Sequence, residues 1–273
     1  MAQRVELISV GEELLIGKTV NTNANWIAKR ITSLGLRLRR ITTVGDVVEE
    51  VAEVVREALK RRPKYLIVTG GLGPTFDDKT LEGIAAGLET SLELDEEALR
   101  MVKAKYCQYV KEGRMREFEM TTYRIKMAKL PKGSKPLPNP LGTAPGVKIE
   151  KDDTTIFALP GVPSEMKAIF EESLVPLFKE AAGDAVFFEA SLYVYGIGES
   201  ALAPLIDLVM RDNPYVYIKS HPKGAEKIPH IELHFSTTTG DNRTARERLS
   251  KAISHISELI NEKGGTVRAT ERR

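Results

Sequence analysis

The run Tyr65-Leu66-Ile67-Val68-Thr69-Gly70-Gly71-Leu72-Gly73-Pro74-Thr75-Phe76-Asp77-Asp78-Lys79-Thr80 decides how the chain folds. Tyr65–Thr69 is short and mostly apolar, the composition of a strand covered on both faces. Gly70, Gly71 and Gly73 end it abruptly and lead into a helical segment over Lys79–Leu88. Lacking side chains, these glycines let backbone N–H groups approach an anion at a helix N-terminus. A tight turn without a ligand would use the same glycines, so the turn alone is only compatible with a phosphate. Asp77 and Asp78 shift the balance. Two adjacent carboxylates would repel a phosphate unless a hard cation such as Mg²⁺ lies between them. The rival reading is helix capping, for which one acid stabilises by about 0.3–1 kcal/mol and a second is an excess.

Upstream, Val5–Val10 reads as a buried strand ending at Gly11 and opening into the loop Gly11–Val20. Asn21–Leu34 places Trp26, Ile27, Ile31 and Leu34 at helical spacing, with Gly35 as a stop. Leu36–Val44 alternates apolar and basic residues as a half-exposed strand does, and Asp46-Val47-Val48-Glu49 reads as a capping-box variant opening a helix to about Arg61. This βαβαβ order predicts a parallel sheet with helices on both faces and a ligand site beyond the carboxyl ends of the strands. Both Gly11–Val20 and Gly70–Asp78 lie at such ends.

Downstream, helices are expected over Lys79–Leu88, Asp95–Lys111 and Glu117–Ala128, and Pro131–Gly146 reads as a long binding loop. Val147–Ile149 and Thr155–Leu159 read as paired strands, and Pro160-Gly161-Val162-Pro163 turns into a helix over Ser164–Glu180. Composition then shifts to small and polar residues. A strand (Phe187–Tyr195), a helix (Glu199–Met210), two strands (Tyr215–Ser220 and His230–Phe235) and a helix (Thr244–Asn261) give a small βαββα domain. The expected division is 1–182, 183–264 and a frayed tail over 265–273.

Composition narrows the function. With 273 residues, 42% hydrophobic and 29% charged, the chain is globular rather than disordered. Its 40 basic and 38 acidic residues leave a net charge of +2, which speaks against a dedicated nucleic-acid binder, so an anionic ligand must be met locally. The single cysteine, Cys107, excludes an intramolecular disulfide and a multi-cysteine zinc site and fits a reducing cytoplasm. No run approaches the about 18 apolar residues that span a bilayer, and no signal peptide is recognised, so a cytoplasmic protein without a membrane partner is expected. The sequence has no Gly-x-x-x-x-Gly-Lys-Ser/Thr, and a Gly-x-Gly-x-x-Gly register from Gly71 meets Phe76 at the third glycine, which argues against a P-loop NTPase and a typical dinucleotide dehydrogenase.

The segment Gly70–Thr80 closely resembles the signature of the CinA family, within the superfamily of the molybdopterin-binding domains MoaB, MogA and MoeA. Three further segments agree in order: Gly11–Gly17 with Asn21-Thr22-Asn23, Asn139–Gly146, and Leu159–Met166. Gly196–Ser200 and Tyr217–His221 resemble the CinA middle domain. The resemblance implies a three-layer α/β molybdopterin-binding-like domain with a mostly parallel sheet, plus a small C-terminal α+β domain. It also implies a homodimer and a pyrophosphatase that hydrolyses ADP-ribose or a related dinucleotide to AMP and a sugar phosphate with Mg²⁺, Mn²⁺ or Co²⁺. The wider superfamily implies molybdopterin binding or transfer instead. A non-catalytic nucleotide-binding regulator is a third possibility. The nicotinamide-mononucleotide deamidase domain of many relatives has no counterpart here, so that activity is not expected; a Nudix signature is also absent.

By that resemblance Asp78 is the functional aspartate and metal ligand, with Asp77 the second ligand. Gly70, Gly71, Gly73, Thr75 and Thr80 would bind phosphate, Asn139, Gly142 and Thr143 would enclose the ligand, and Pro160 and Gly161 would line it. Glu165 is a candidate metal ligand or general base, against a role at its helix N-terminus. Lys18 would neutralise a phosphate, against a solvated lysine. Glu13 and Asn21 would reach ribose hydroxyls or a base, against capping for Asn21. His221, His230 and His234 lack the spacing of a compact metal site and read as strand histidines, and Tyr215, Tyr217 and Phe235 as sheet packing.

Overall fold

The computed structural model describes residues 3–223 and 230–269. The chain divides into two compact units, one of Met1–Thr32 with Leu36–Ala181, the other of Ser33–Gly35 with Ala182–Arg273.

In unit 1, the elements run β1 (Arg4–Val10), α1 (Glu12–Leu15), α2 (Thr22–Ser33), β2 (Arg37–Val44), α3 (Val48–Lys60), β3 (Tyr65–Thr69) and α4 (Thr80–Gly87). They continue through β4 (Leu92–Leu94), α5 (Glu96–Lys111), α6 (Thr122–Lys126), β5 (Lys129–Pro131), β6 (Lys135–Leu137), β7 (Gly146–Lys151) and β8 (Thr154–Leu159) to α7 (Pro163–Ile169) and α8 (Val175–Ala182). The main sheet has the order β2-β1-β3-β8-β7-β6. The pairs from β2 to β8 are parallel, and β7 and β6 are added antiparallel.

Alternation sends the two sides of each strand to different layers. Ile8, Val10, Leu66, Val68, Ile156 and Ala158 form one core with Val51 and Val55 of α3, Ile84 of α4 and Val102 of α5. On the other side Tyr65 and Phe157 meet Phe178 of α8, which also contacts Phe170, and Phe170 packs edge-on to Trp26 of α2. Register brings the carboxyl ends into line: Ser9 lies opposite Thr69, and Thr69 opposite Leu159. The next residues stay tied, Gly70 N–H donating to Leu159 O at 3.0 Å and Gly11 N–H to Val44 O at 3.0 Å.

Several local expectations are corrected. The helix expected over Glu117–Ala128 is confined to Thr122–Lys126, because extended Thr121 caps it, its hydroxyl accepting from Arg124 N–H. The Pro131–Gly146 loop contains the edge strand β6, where Pro136 is tolerated because one side of an edge strand needs no ladder donor. The helix expected over Ser164–Glu180 carries a π-helical turn at Phe170–Leu174, one residue before Pro176, which has no N–H to offer Glu172. Asp46 does not cap α3; the cap residue is Val47, and Asp46 accepts from Glu12 N–H at 2.8 Å.

Unit 2 comprises β9 (Val186–Tyr195), α9 (Glu199–Asp212), β10 (Tyr217–Lys223), β11 (His230–Thr239), α10 (Asn242–Glu262) and β12 (Thr266–Ala269). Its sheet has the order β10-β11-β9-β12 and every pairing is antiparallel. The small domain is thus βαββαβ, and the frayed tail expected over 265–273 is corrected: Thr266 pairs with Tyr195 and Ala269 with Leu192. Gly264 at φ +79° turns the chain back after α10, with Gly265 N–H donating to Ile260 O, so the glycines end a helix and start a strand. Positions 270–273 lie outside the described residues. Leu192, Val194, Leu233 and Phe235 pack with Leu202, Val209, Ile256 and Ile260 into the core of this unit. Phe235 is therefore sheet packing as expected, but Tyr215 and Tyr217 are 68% and 59% exposed. Among the described residues no helix is long and apolar enough to cross a membrane.

Candidate functional site

A cavity of about 270 Å³ opens where β1 and β3 end, lined by residues from four segments that include Ser9, Glu13, Asn23, Gly70, Asp78 and Gly161. Two of its glycines are required by space as well as by backbone. Gly70, at φ +111°, lies so close to β1 that a Cβ would sit 2.0 Å from Val10 O. Gly71, at φ +61°, would place one 2.4 Å from Thr80 Oγ1. Any L side chain at either would be strained, and at Gly70 it would also push the ends of β1 and β3 apart.

The acidic rim is built by the turn that follows. Thr75 N–H donates to Asp78 Oδ2 at 2.8 Å. The Thr75 hydroxyl lies 2.5 Å from Asp77 Oδ1 and 2.6 Å from Asp78 Oδ2. One hydroxyl has one proton, so it serves only one carboxylate at a time. Gly73 packs on the same group, and a Cβ there would come 2.6 Å from Asp78 Oδ2. Lys126 Nζ donates to Thr75 O at 2.7 Å. The hydrogen bond from Thr75, with Asp77's own N–H and then the charges of Lys126 and Lys79, holds the exposed Asp77 carboxyl below the usual carboxylate range against an opposing desolvation.

The floor is polar and incompletely paired. Ser9 Oγ and Asn23 Oδ1 are buried without a hydrogen-bond partner, as is Thr80 Oγ1 behind Gly71. A buried polar atom left in that state costs about 1–3 kcal/mol, so such groups mark places where a ligand's polar edge is useful. Asn23 is oriented by its own Nδ2, which donates to Gly161 O at 2.8 Å.

The donor set suits a shared metal rather than a protein cage. Among the described residues no group of three or more His, Cys, Asp or Glu side chains is placed to hold an ion. Mg²⁺ commonly takes one or two carboxylates and completes its shell with water and substrate phosphates, and Asp77 with Asp78 fits that pattern.

Of the residues singled out in the sequence, Glu13, Asn21, Gly70, Gly71, Asp77, Asp78 and Gly161 line this cavity. Asn21 also caps α2, its Oδ1 accepting from Ala24 N–H at 3.0 Å. Thr75, Gly73 and Thr80 support the rim from behind, and Pro160 O accepts from the Thr69 hydroxyl. Lys18 is exposed and does not line the cavity. Asn139, Gly142 and Thr143 line a different cavity, beside Lys105 and Gln108 of α5. Glu165 lines neither: its carboxylate accepts from Asn139 Nδ2 at 2.8 Å and fills the space at Gly142. Glu165, the candidate metal ligand or general base, is engaged here as a pin for the Asn139–Gly142 turn.

Ser9, Asn23, Asp46 and Thr69 were not foreseen as site residues. For Ser9 and Thr69 the signal is a hydroxyl at the penultimate or last place of a buried strand that runs into glycine, for Asn23 its place in the Asn21-Thr22-Asn23 segment, and for Asp46 a carboxylate after Gly45 that capping also explains.

Residues 6–180 match the family model described as "Probable molybdopterin binding domain". A protein of Aeropyrum pernix is 43% identical over 265 residues, covering 97% of this chain and 96% of its own length. One of Caldivirga maquilingensis is 45% identical over 255 residues, covering 93% and 95%. The crystal structure of the protein CinA with unknown function from Thermoplasma acidophilum is similar at 39% identity over 66% of this chain and 98% of that one, with a TM-score of 0.58.

Proposed function

Since this chain belongs to the molybdopterin-binding domain family and its unit 1 is CinA-like, we propose that unit 1 is a binding and transfer module for a phosphorylated pterin of the molybdopterin type. The observation that carries this reading is the Ser9 hydroxyl, 0% exposed and unpartnered, in the floor of a cavity rimmed by Gly70 and Gly71. A pterin offers N–H and C=O edges to Ser9 Oγ and Asn23 Oδ1, while its phosphate lies against the glycine turn at the start of α4. Titration with a phosphorylated pterin, its unphosphorylated counterpart and AMP tests it. The phosphorylated pterin should bind at least about ten-fold more tightly than the other two, one polar contact being worth about 1.4 kcal/mol. Equal affinity for all three, or full affinity in Ser9→Val, would sink the reading.

One observation favours a second reading, metal-dependent hydrolysis of a phosphoanhydride such as ADP-ribose to AMP and a sugar phosphate. It is the Thr75 hydroxyl held between two carboxylates, an arrangement that a cation relieves. When bound, Mg²⁺, Mn²⁺ or Co²⁺ neutralises the non-bridging oxygens and acidifies a water. Asp77 and Asp78 would hold the ion, Thr75 would fix their separation, and the cavity walls would set the anhydride in line. Incubation with ADP-ribose and each metal, followed by product separation, distinguishes the readings: AMP release that vanishes in Asp78→Ala supports hydrolysis, and ligand binding without AMP release leaves the module reading alone.

A further inference from the structure

Among the described residues of unit 2, the helices pack on one face of its sheet and the second face carries none of them. Along β11 Ile231, Leu233 and Phe235 point to the core, and His230, Glu232, His234 and Ser236 point away from it. Register extends that outer row across the sheet. His230 lies opposite Tyr195 and Lys223, Glu232 opposite Tyr193 and His221, His234 opposite Lys219, and Ser236 opposite Tyr217. β12 brings Arg268 beside Tyr193.

This face carries rings as well as charges. Tyr195 is stacked with His230, centroids 5.6 Å apart and planes within 24°, and the Arg268 guanidinium lies 5.5 Å from the Tyr195 ring. At one end the face runs into a shallow cavity of about 470 Å³ whose walls include Phe187, Tyr215 and Tyr217. The Arg248 guanidinium sits 4.4 Å from the Tyr215 ring. The two acids of the face are engaged locally, Glu232 with Lys223 at 3.1 Å and Glu189 with His234 at 3.1 Å. Lys219 and Arg268 have no ion pair among the described residues.

We infer that this face binds single-stranded nucleic acid, its bases stacking on the Tyr215–Tyr217 cavity and the Tyr195–His230 pair, its phosphates meeting Lys219, Arg248 and Arg268. Unpaired bases stack on rings presented by a sheet, and flanking cations track the backbone. A duplex hides its bases and offers such a face nothing to stack on. Lysine is depleted at protein interfaces, whereas here Lys219 and Lys223 are interleaved with the rings. The near-balance of charge over the whole chain hides this local arrangement.

The test is fluorescence anisotropy of the full chain with labelled oligo(U), oligo(dT) and a DNA duplex of equal length, at low and at physiological salt. Both single strands should bind, the duplex at least about ten-fold more weakly, with affinity falling as salt rises. Tyr217→Ala and Tyr195→Ala should each cost about 5- to 100-fold. Lys219→Glu, on an exposed strand position, should weaken binding and flatten the salt dependence without changing the melting curve. The ratio between oligo(U) and oligo(dT) shows whether the sugar is read. No anisotropy change with either single strand, a duplex bound as tightly, or unchanged binding in Lys219→Glu and Tyr217→Ala would each overturn the inference, whatever the outcome for unit 1.

Discussion

Asn139 donates from Nδ2 to the Glu165 carboxylate at 2.8 Å, and Gly142 leaves room for that carboxylate where a Cβ would lie 1.9 Å from it. The acid at the start of α7 is therefore a structural bond between two distant segments. Glu165→Gln keeps an acceptor and should retain ligand affinity and most stability. Glu165→Leu leaves Asn139 with one partner fewer and should lower unfolding free energy by about 1–3 kcal/mol in a denaturant titration. Loss of turnover in Glu165→Gln with an unchanged midpoint would show that the residue does chemistry after all.

Gly83 and Gly87 let α4 lie close on α3: a Cβ at Gly83 would sit 2.5 Å from Val51 Cβ, and one at Gly87 3.0 Å from Ala52 O. Alanine is the better helix former by about 1 kcal/mol, so propensity alone predicts stabilisation. The clash should win, and Gly83→Ala should destabilise by about 1–3 kcal/mol. Adding Val51→Ala should recover part of that loss; a melting temperature raised by Gly83→Ala alone would mean the helices part without cost.

Asp77 titrates below the usual carboxylate range, chiefly because Thr75 donates to it. A depressed carboxyl stays ionised as pH falls past the ordinary value and loses its contribution only below that, through its own lower pKa. Thr75→Val should move the Asp77 titration, followed by carboxyl carbon NMR, upward toward the ordinary value of about 3.9. An unshifted curve would assign the effect to Asp77's own N–H, with Lys126 and Lys79, instead.

Tyr65 is held above its ordinary pKa, mainly by burial and further by Glu180 and Glu150. The folded chain keeps this phenolic proton longer than the unfolded one, so stability is full below about pH 10 and falls as pH rises beyond it. Tyr65→Phe should flatten that alkaline loss in melts at pH 9 to 11, taken as roughly one unit either side of the free value. Equal slopes for both proteins would place the alkaline sensitivity elsewhere.

Much of unit 1 could be read from residue order because its central strands β1, β3 and β8 are buried on both sides and lead into glycine-containing turns. Tyr65–Thr69 followed by Gly70-Gly71 leaves little else to form, and Asp78 stands close enough in sequence to be tied to that turn. What stayed hidden depended on long-range partners. Thr266–Ala269 is too short to show alternation and becomes a strand only because β9 offers an edge. Asp46 resembles a helix cap until Glu12 N–H, 34 positions away, is seen to claim it. Asn139–Gly142 adjoins Glu165 in space, yet the two form a brace away from the Asp77–Asp78 rim, which motif order does not distinguish. The aromatic face of unit 2 emerges only from strand register.

The aligned strand ends have a thermodynamic side as well. The cavity walls come from segments around Gly11, Gly70 and Gly161, and Asn23 reaches Gly161 across 138 positions of chain. A molecule that touches all of them acts as a clasp that exists only in the native state. Its concentration then governs how hard unit 1 is to unfold: at a hundred times Kd the gain is about 2.7 kcal/mol by mass action. Resistance to heat in the cell would thus report how full this cavity is.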